Sequence, residues 1–485
     1  EAWAKSAGKL FAMKDAVDVI VMDFTEVRAS GERLKGYGWI SSGDETISVA
    51  FNRICQLLNN RAGQLLTRMD ILDVLNHLGT TLSSRRSAEI ALVPVDDPEI
   101  DDFISAKKDF WLHDNAHRQQ SNNSVMFHKT PTKWELSYIF DRMVEAGGSE
   151  PGFINAEAAL KRAPHFKGLN PCAEILLGNK SFCNLVEVDW GKFKTNFGGL
   201  QEAVEIVARA NYRQTCVNLD DGVLQRSWHE LNEFLRLCGV GATGIVKFLD
   251  HHKGKGNTKS MLSSIRSSAQ KGANSMADEL GLPQPKLVCT VKPSGTLSKI
   301  MDTTEGVHKP LGKYLFNNVT FSKHDEIIPT LVAAGYKVIE KPFETESVLV
   351  TFPVAYEDVE FDIVDGKHVN LETAIEQLDR YKLMMDYYVD HNCSVTISYD
   401  PSEIPAIIDW LSEHWDTYVG VSFIYRNDPT KTAKDLGYAY LPQEVVSEEV
   451  YTEYASSLWP VDLTNLASDD DLSDEACATG ACPVR

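Results

Sequence analysis

The feature that most constrains this chain is the regular change of hydrophobic period in its C-terminal part. Residues 372–391 carry apolar side chains at helical spacing, and Ser394 to Tyr399 reads as a strand. Pro401 to His414 is a second helix opened by Asp400-Pro401, and Tyr418 to Tyr425 is a second strand. Helices alternating with strands at this interval need a sheet or barrel whose faces the helices cover. The predicted fold class is therefore α/β. At about 150 residues per domain, 485 residues suit roughly three domains or one large barrel with appendages.

The earlier part gives similar signals. Val17, Val19, Ile20 and Val21, within Asp15 to Thr25, read as a buried strand. A Gly/Ser-rich loop runs from Arg33 to Gly43, and Val49, Phe51, Ile54, Leu57 and Leu58 then recur at helical spacing. Asp70 is the predicted cap of a further helix, with Ile71, Val74, Leu75 and Leu78 on one face and Gly79 as its stop. The end of the chain differs. From Val461 to Val484 there are six acidic residues, no basic one and few large apolar ones, too little to bury a core. A mobile tail is expected there, dividing the chain into 1–443 and 444–485.

Charge narrows the partners. A net charge of −21 lacks the electrostatic footprint of a nucleic-acid binder. Backbone amides and hydroxyls can still bind a phosphate locally. No apolar run approaches the roughly 18 residues of a membrane span. Nine cysteines, an odd number in a long chain, argue against a secreted disulfide framework. A reducing, cytoplasmic setting is expected, with any paired thiols chemical.

Three segments carry chemistry. Near the terminus, Cys477 and Cys482 flank Ala478-Thr479-Gly480-Ala481, a spacing that lets the sulfurs close a small reversible disulfide on a tether. Half a zinc site is the competing reading, but the tail offers no His. The second segment is Asn170-Pro171-Cys172-Ala173-Glu174, with Cys183 eleven residues after Cys172. Pro171 disfavours helix at Asn170. A carboxylate two positions from a thiol opposes thiolate formation. That suits Cys172 as a neutral thiol or thiyl radical, with Glu174 a separate proton acceptor; two buried structural cysteines are the plainer alternative. Third, Lys292-Pro293-Ser294-Gly295-Thr296 follows the apolar strand Leu287-Val288-Cys289. It lacks the Walker A spacing. It reads either as a phosphate cradle at a helix start or as an ordinary capped turn.

Taken in order, NPCAE, FCNLVEV, KPSGT and CATGACPVR resemble the C-terminal two-thirds of the monomeric adenosylcobalamin-dependent (class II) ribonucleoside-triphosphate reductases. KGYGWISSG, SSRRSAEIAL, HRQQSNNSV, EPGF, GVGATG and NCSVTISYDP agree, so the likeness runs from about residue 15 to Arg485. It implies a partial ten-stranded α/β barrel, with Cys172 at the tip of a central finger loop and a flexible C-terminal redox tail. It further implies that adenosylcobalamin generates a thiyl radical on Cys172. The thiyl would remove the ribose 3′-hydrogen of a ribonucleoside triphosphate, while Glu174 takes the 3′-hydroxyl proton and Asn170 bonds the ribose hydroxyls. Cys183 would supply reducing equivalents. Cys477 and Cys482 would reduce the resulting disulfide and be recharged by a thioredoxin-like protein. Pro293, Ser294, Gly295 and Thr296 would hold substrate phosphates. Lys35, Gly36, Tyr37, Gly38, Ser41, Ser42 and Gly43 resemble the loop that relays the identity of a deoxynucleotide effector. No resident metal ligand set is implied.

The family's second redox thiol lies upstream of the effector loop. Cys55 is the upstream cysteine here, and its surroundings read as a core helix. Cys216, Cys238, Cys289 and Cys393 sit in apolar or strand-like contexts and read as structural. The absence of the family's first third implies a separately supplied N-terminal fragment or a truncated sequence. Residues 306–321 are less basic than the resemblance leads one to expect. Arg85, Arg86, Arg118, Asn122 and Asn123 either face the site or serve the surface and loops. Two competing readings are the catalytic subunit of a class I reductase and an inactive nucleotide-binding paralogue. Against the first, Tyr451 and Tyr454 are three apart rather than adjacent.

Overall fold

The computed structural model describes residues 2–12, 19–34, 39–81, 89–109, 113–220, 222, 224–342 and 347–461. Strands Glu89–Pro94, Ser121–Phe127 and Gly152–Asn155 run parallel to one another. Gly420–Tyr425 joins them antiparallel to Gly152–Asn155 and parallel to Thr396–Tyr399. Parallel bridges carry the array further, from Cys393 to Val291 and from Cys289 to Val240. Val240–Thr243 then pairs parallel with Val186–Asp189. Two parallel sets thus meet at one antiparallel seam. Among the described residues, Glu89–Pro94 and Val186–Asp189 are the two ends of this array.

Gly152–Asn155 and Val240–Thr243 are buried along their whole length, as parallel strands covered on both faces must be. Helices do the covering. Lys133–Glu145 starts at a capping box in which Thr132 and Glu135 satisfy each other's backbone amides, and Ala374–Tyr387 starts the same way at Thr373 and Glu376. Under the first of these helices the rings of Phe140, Phe153 and Phe423 meet at 5.1–5.2 Å between centroids, tilted or edge to face. Helices Phe197–Gln214 and Thr258–Leu280 pack closely because Gly272 has no side chain. A Cβ there would stand 2.3 Å from the Glu205 carbonyl oxygen.

A second, antiparallel sheet has the order Val338–Glu340, Ser347–Ala355, Tyr314–Ser322, Gln443–Val445. Its long ladder pairs Tyr314 with Ala355 through to Ser322 with Ser347. Leu315, Tyr356, Val369 and Val445 form a small core of their own beneath it. Residues on both sides of position 443 contribute: strand Gln443–Val445 pairs with Tyr314–Ser322, and Tyr454 on helix Glu448–Ser457 donates to Thr351 O at 2.8 Å.

The alternating C-terminal elements occur as expected, as helix Ala374–Tyr387, strand Thr396–Tyr399, helix Ile404–Glu413 behind a short 3-10 turn, and strand Gly420–Tyr425. The predicted helix over 372–391 stops at Tyr387, and Asp390 to Asn392 are buried polar residues instead. The expected strand near residue 20 is not found. Positions 13–18 lie outside the described residues, and Val19 and Val21 are 75% and 87% exposed with no neighbouring strand to pair their backbone. Helix Arg68–Gly79 is capped by Thr67, not Asp70. Asp70 sits three residues in, and its carboxylate accepts from Thr67 N at 2.8 Å. The buried face of this helix carries Leu72 and Val74, while Ile71 and Leu75, expected on it, are exposed.

Candidate functional site

Gly168–Leu169 and Leu176–Leu177 form a short antiparallel hairpin whose tip carries Asn170 to Ile175. The tip closes on itself. Ala173 N donates to Asn170 O at 2.8 Å, and Ala173 takes a left-handed φ of 59°. Asn170 is buried, and its Oδ1 accepts from Ile175 N at 2.8 Å. Cys172 stands half-buried at the apex.

Neighbouring strands hold this tip from several sides. Asn122 Nδ2 donates to Pro171 O at 2.7 Å. Asn392 Nδ2 donates to Ala173 O at 2.7 Å, and Asn392 N to Glu174 O at 3.1 Å. The Thr290 hydroxyl lies 2.9 Å from Glu174 O and 2.8 Å from Asn392 O. Leu176 N points at His391 Nδ1 at 3.2 Å, and the other ring nitrogen meets Cys238 O at 2.8 Å. The imidazole must therefore accept at Nδ1 and donate from Nε2, which is the neutral form. Burial favours the same form, pushing its pKa down to about 4.

Glu174 is 1% exposed, and its Oε2 has no hydrogen-bond partner among the described residues. Burial pushes its carboxyl above the ordinary value, while the Asn170 side chain, the backbone and the Lys292 charge pull it back. Cys183 is exposed at the edge of the same region. Its thiol is pushed up, first by the protein packed on its inner side and then by the charge of Glu174, which places the two groups within each other's field.

The turn after Val291 approaches from the adjoining strand. Ser294 has a left-handed φ of 45°, is buried, and its Oγ has no partner among the described residues. Gly295, which is exposed, opens helix Gly295–Met301. Pro293 is half-buried just before it, and Thr296 lies in the first helical turn.

In the segment of residues 35–43, Trp39–Ile40 pairs antiparallel with Arg33–Leu34. Lys35, Gly36, Tyr37 and Gly38 lie outside the described residues. Ser41 Oγ donates to Arg28 O at 2.9 Å and accepts from Gly43 N at 3.1 Å. Ser42 Oγ donates to Thr81 O at 2.9 Å, seating the hairpin base on the end of helix Arg68–Gly79. Cys477 and Cys482 lie outside the described residues, as do Arg85 and Arg86. Arg118 is used structurally, bonded to Asp73 and to Ala106 O. Asn123 is buried and accepts from Ser121. Cys55 lies on helix Glu45–Asn60, part-buried. Cys238, Cys289 and Cys393 are buried as expected, whereas Cys216 is exposed because helix Phe197–Gln214 ends just before it. Tyr451 and Tyr454 are spent on the outer sheet, one against the Tyr314 ring and the other bonded to Thr351 O.

Sequence reasoning gave no role to Asn392, Thr290, His391 or Lys292, and left Asn122 open. Three of these lie in stretches that carried the resemblance: Asn122 in HRQQSNNSV, Lys292 in KPSGT and Asn392 in NCSVTISYDP. A polar residue within a strand-forming run was the signal that could have found them.

No family model matches the chain. Its fold is the mixed α/β fold of a solved B12-dependent (class II) ribonucleotide reductase, which it matches at a TM-score of 0.73 and 23% identity, over 92% of this chain and 65% of that one. In sequence it is 28% identical to the adenosylcobalamin-dependent ribonucleoside-triphosphate reductase of Lacticaseibacillus paracasei, across 96% of this chain and 66% of that protein. It is 26% identical to a probable reductase of the same kind from Dictyostelium discoideum, across 96% of this chain and 60% of that protein. These matches bear out the resemblance carried by the motifs. The chain spans 60–66% of the length of these two curated relatives.

Proposed function

We propose that this chain reduces ribonucleoside triphosphates to 2′-deoxyribonucleoside triphosphates through a radical on Cys172. The observation that carries the reading is the finger hairpin, which sets a half-buried thiol two residues from a buried carboxylate with an unpartnered oxygen. A thiol that is to lose a hydrogen atom needs no cation to make it a thiolate, and a neighbouring carboxylate suits it better. Cys172 is thus a fitting partner for adenosylcobalamin, which supplies one-electron oxidation when bound and is named in the curated relatives. Cys172 removes the ribose 3′-hydrogen. Glu174, whose Oε2 awaits a donor, takes the 3′-hydroxyl proton, and the 2′-hydroxyl leaves as water. Asn170 holds the carboxylate and the ribose hydroxyls.

Cys183, exposed at the edge of the site, and a second thiol from the upstream fragment each give up one electron and one proton, closing a disulfide between them; one proton leaves with the 2′-hydroxyl as water. Cys477 and Cys482 recharge it and are themselves reduced by a thioredoxin-like protein. Pro293 to Thr296 hold the substrate phosphates, and the loop of residues 35–43 reports a deoxynucleotide effector. The array is part of a ten-stranded barrel that an N-terminal fragment of the same enzyme completes, in the cytoplasm. The acidic stretch from Val461 to Val484, at the end of the C-terminal segment of residues 444–485, is the redox tail beyond the barrel of residues 1–443.

The test is to mix the chain with adenosylcobalamin, ATP or CTP, a deoxynucleotide effector and a dithiol, with and without an upstream fragment from a homologue. The readouts are deoxynucleotide product and the change in cobalamin absorbance. Product in either mixture is expected. Neither product nor an absorbance change in both mixtures sinks the reading.

A further inference from the structure

The short helix that opens at the turn from Pro293 to Thr296 has little to seat it. Gly295–Met301 is seven residues long, too short to hold its own turns in water. Left-handed residues set it off at both ends, Ser294 at φ 45° and Asp302 at φ 55°. Two of its apolar residues, Leu297 and Ile300, are 38% and 75% exposed, so hydrophobic burial does little to fix it. Ser298 is buried, but its hydroxyl is spent locally, on the carbonyls of Ser294 and Gly295. Lys247 Nζ reaches Asp302 O, past the far end, at 3.4 Å.

Lys299 supplies a firmer connection. Its Nζ lies 2.5 Å from Glu305 Oε1 and donates to the Tyr356 hydroxyl. The same Glu305 oxygen accepts from Gln443 Nε2 at 3.4 Å. Tyr356 follows strand Ser347–Ala355 and is buried with Leu315, Val369 and Val445 in the core of the outer sheet, and Gln443 opens strand Gln443–Val445 of that sheet. One ammonium thus joins the helix after Val291 to the neighbouring antiparallel sheet. Burial disfavours its charge, but Glu305 and Tyr356 more than offset that and hold its pKa above the ordinary lysine value. Bonds to a charged donor are the strong ones, so a single side chain can hold a helix of this length.

We propose that Lys299 is a positioning residue for the substrate phosphates: through Tyr356 and Glu305 it ties helix Gly295–Met301 to the outer sheet and so sets where the turn from Pro293 to Thr296 meets phosphate. This rests on the reading of that turn as the phosphate cradle. The outer sheet then acts on nucleotide affinity from outside the cradle.

The test needs no turnover. On the full chain, hydrogen exchange of the 295–301 amides is followed by mass spectrometry, and CTP binding by equilibrium dialysis. Tyr356→Phe removes the hydroxyl and keeps the ring in its core. It should speed exchange of those amides about tenfold and weaken CTP binding about threefold to tenfold. Lys299→Met, which loses Glu305 as well, should do both by more. Lys299→Arg keeps the charge and should recover most of the loss. Leu315→Ala cuts the same core without touching Lys299 and should leave CTP affinity at the wild-type value. If CTP does not slow exchange of these amides in the wild-type chain, the phosphate reading of the turn fails and the proposal with it. If CTP slows it, yet Tyr356→Phe and Lys299→Met bind CTP as tightly as wild type, the proposal alone is overturned. Equal losses of CTP affinity from Leu315→Ala and Tyr356→Phe would reduce Lys299 to a structural tie, which overturns it too.

Discussion

The finger hairpin and the outer antiparallel sheet are held by opposite means. The finger has only two ladder pairs of its own, and its tip is fixed by side chains from three other strands or strand ends, through Asn122, Thr290, His391 and Asn392. The outer sheet has a nine-residue ladder and a private apolar core of Leu315, Tyr356, Val369 and Val445. An apolar core tolerates small shifts of its members. Buried polar bonds do not, because each group that slips out of geometry is left unsatisfied. The chain thus fixes with hydrogen bonds the hairpin tip that carries the candidate thiol and carboxylate, and with hydrophobic burial the outer sheet.

That contrast is open to attack by mutation. The largest effect belongs to Cys172→Ser, which should remove deoxynucleotide formation by roughly a thousandfold or more while leaving the thermal unfolding curve in place. In the outer sheet, Leu315→Ala should cost about 2–5 kcal/mol of stability, read by denaturant titration, with kcat unchanged while the chain stays folded. If kcat falls, the two regions are not independent.

Asn392→Ala removes donors to Ala173 O and Gly420 O and the acceptor of the Tyr381 hydroxyl. It should cost about 2–3 kcal/mol, and unlike Leu315→Ala it should also lower kcat, since the finger tip loses its anchor. Asn122→Ala removes a single bond to Pro171 O and should cost about 1 kcal/mol with a smaller loss of kcat. Equal kcat for wild type and Asn392→Ala would mean that the tip is rigid without its polar frame.

The pH dependence sharpens the same point. Burial raises the Glu174 carboxyl above the ordinary glutamate range. An acceptor must be ionised, so kcat/KM should fall as pH drops through that raised value, above the pH at which an exposed glutamate would titrate. A profile flat down to the ordinary glutamate range would remove Glu174 from the acceptor role.

Much of this was legible in the sequence. The alternation from residue 372 onward predicted helices and strands that the structure contains, because parallel strands under helices leave a strong apolar period. The turn at Asn170-Pro171-Cys172-Ala173-Glu174 was legible from Pro171, and the structure contains it at the tip of a hairpin. The run at Val19 to Val21 misled, since a β-branched stretch predicts a strand only if a partner strand exists, and none is there among the described residues. Asp70 misled by three residues, because Thr67 and Asp70 both suit a capping box and only the first residue of the pair is the cap.

By itself the sequence determined the α/β class, the thiol and carboxylate of the finger and the turn that follows Val291, since each depends on neighbours within a few residues. Only the tertiary structure decided what surrounds them. Asn122, His391 and Asn392 lie 49, 215 and 219 residues from the finger atoms they hold, and the Lys292 ammonium meets Glu187 across the strand that carries Gly241. Such contacts leave no local period, because sheet order brings them together and the linear sequence does not.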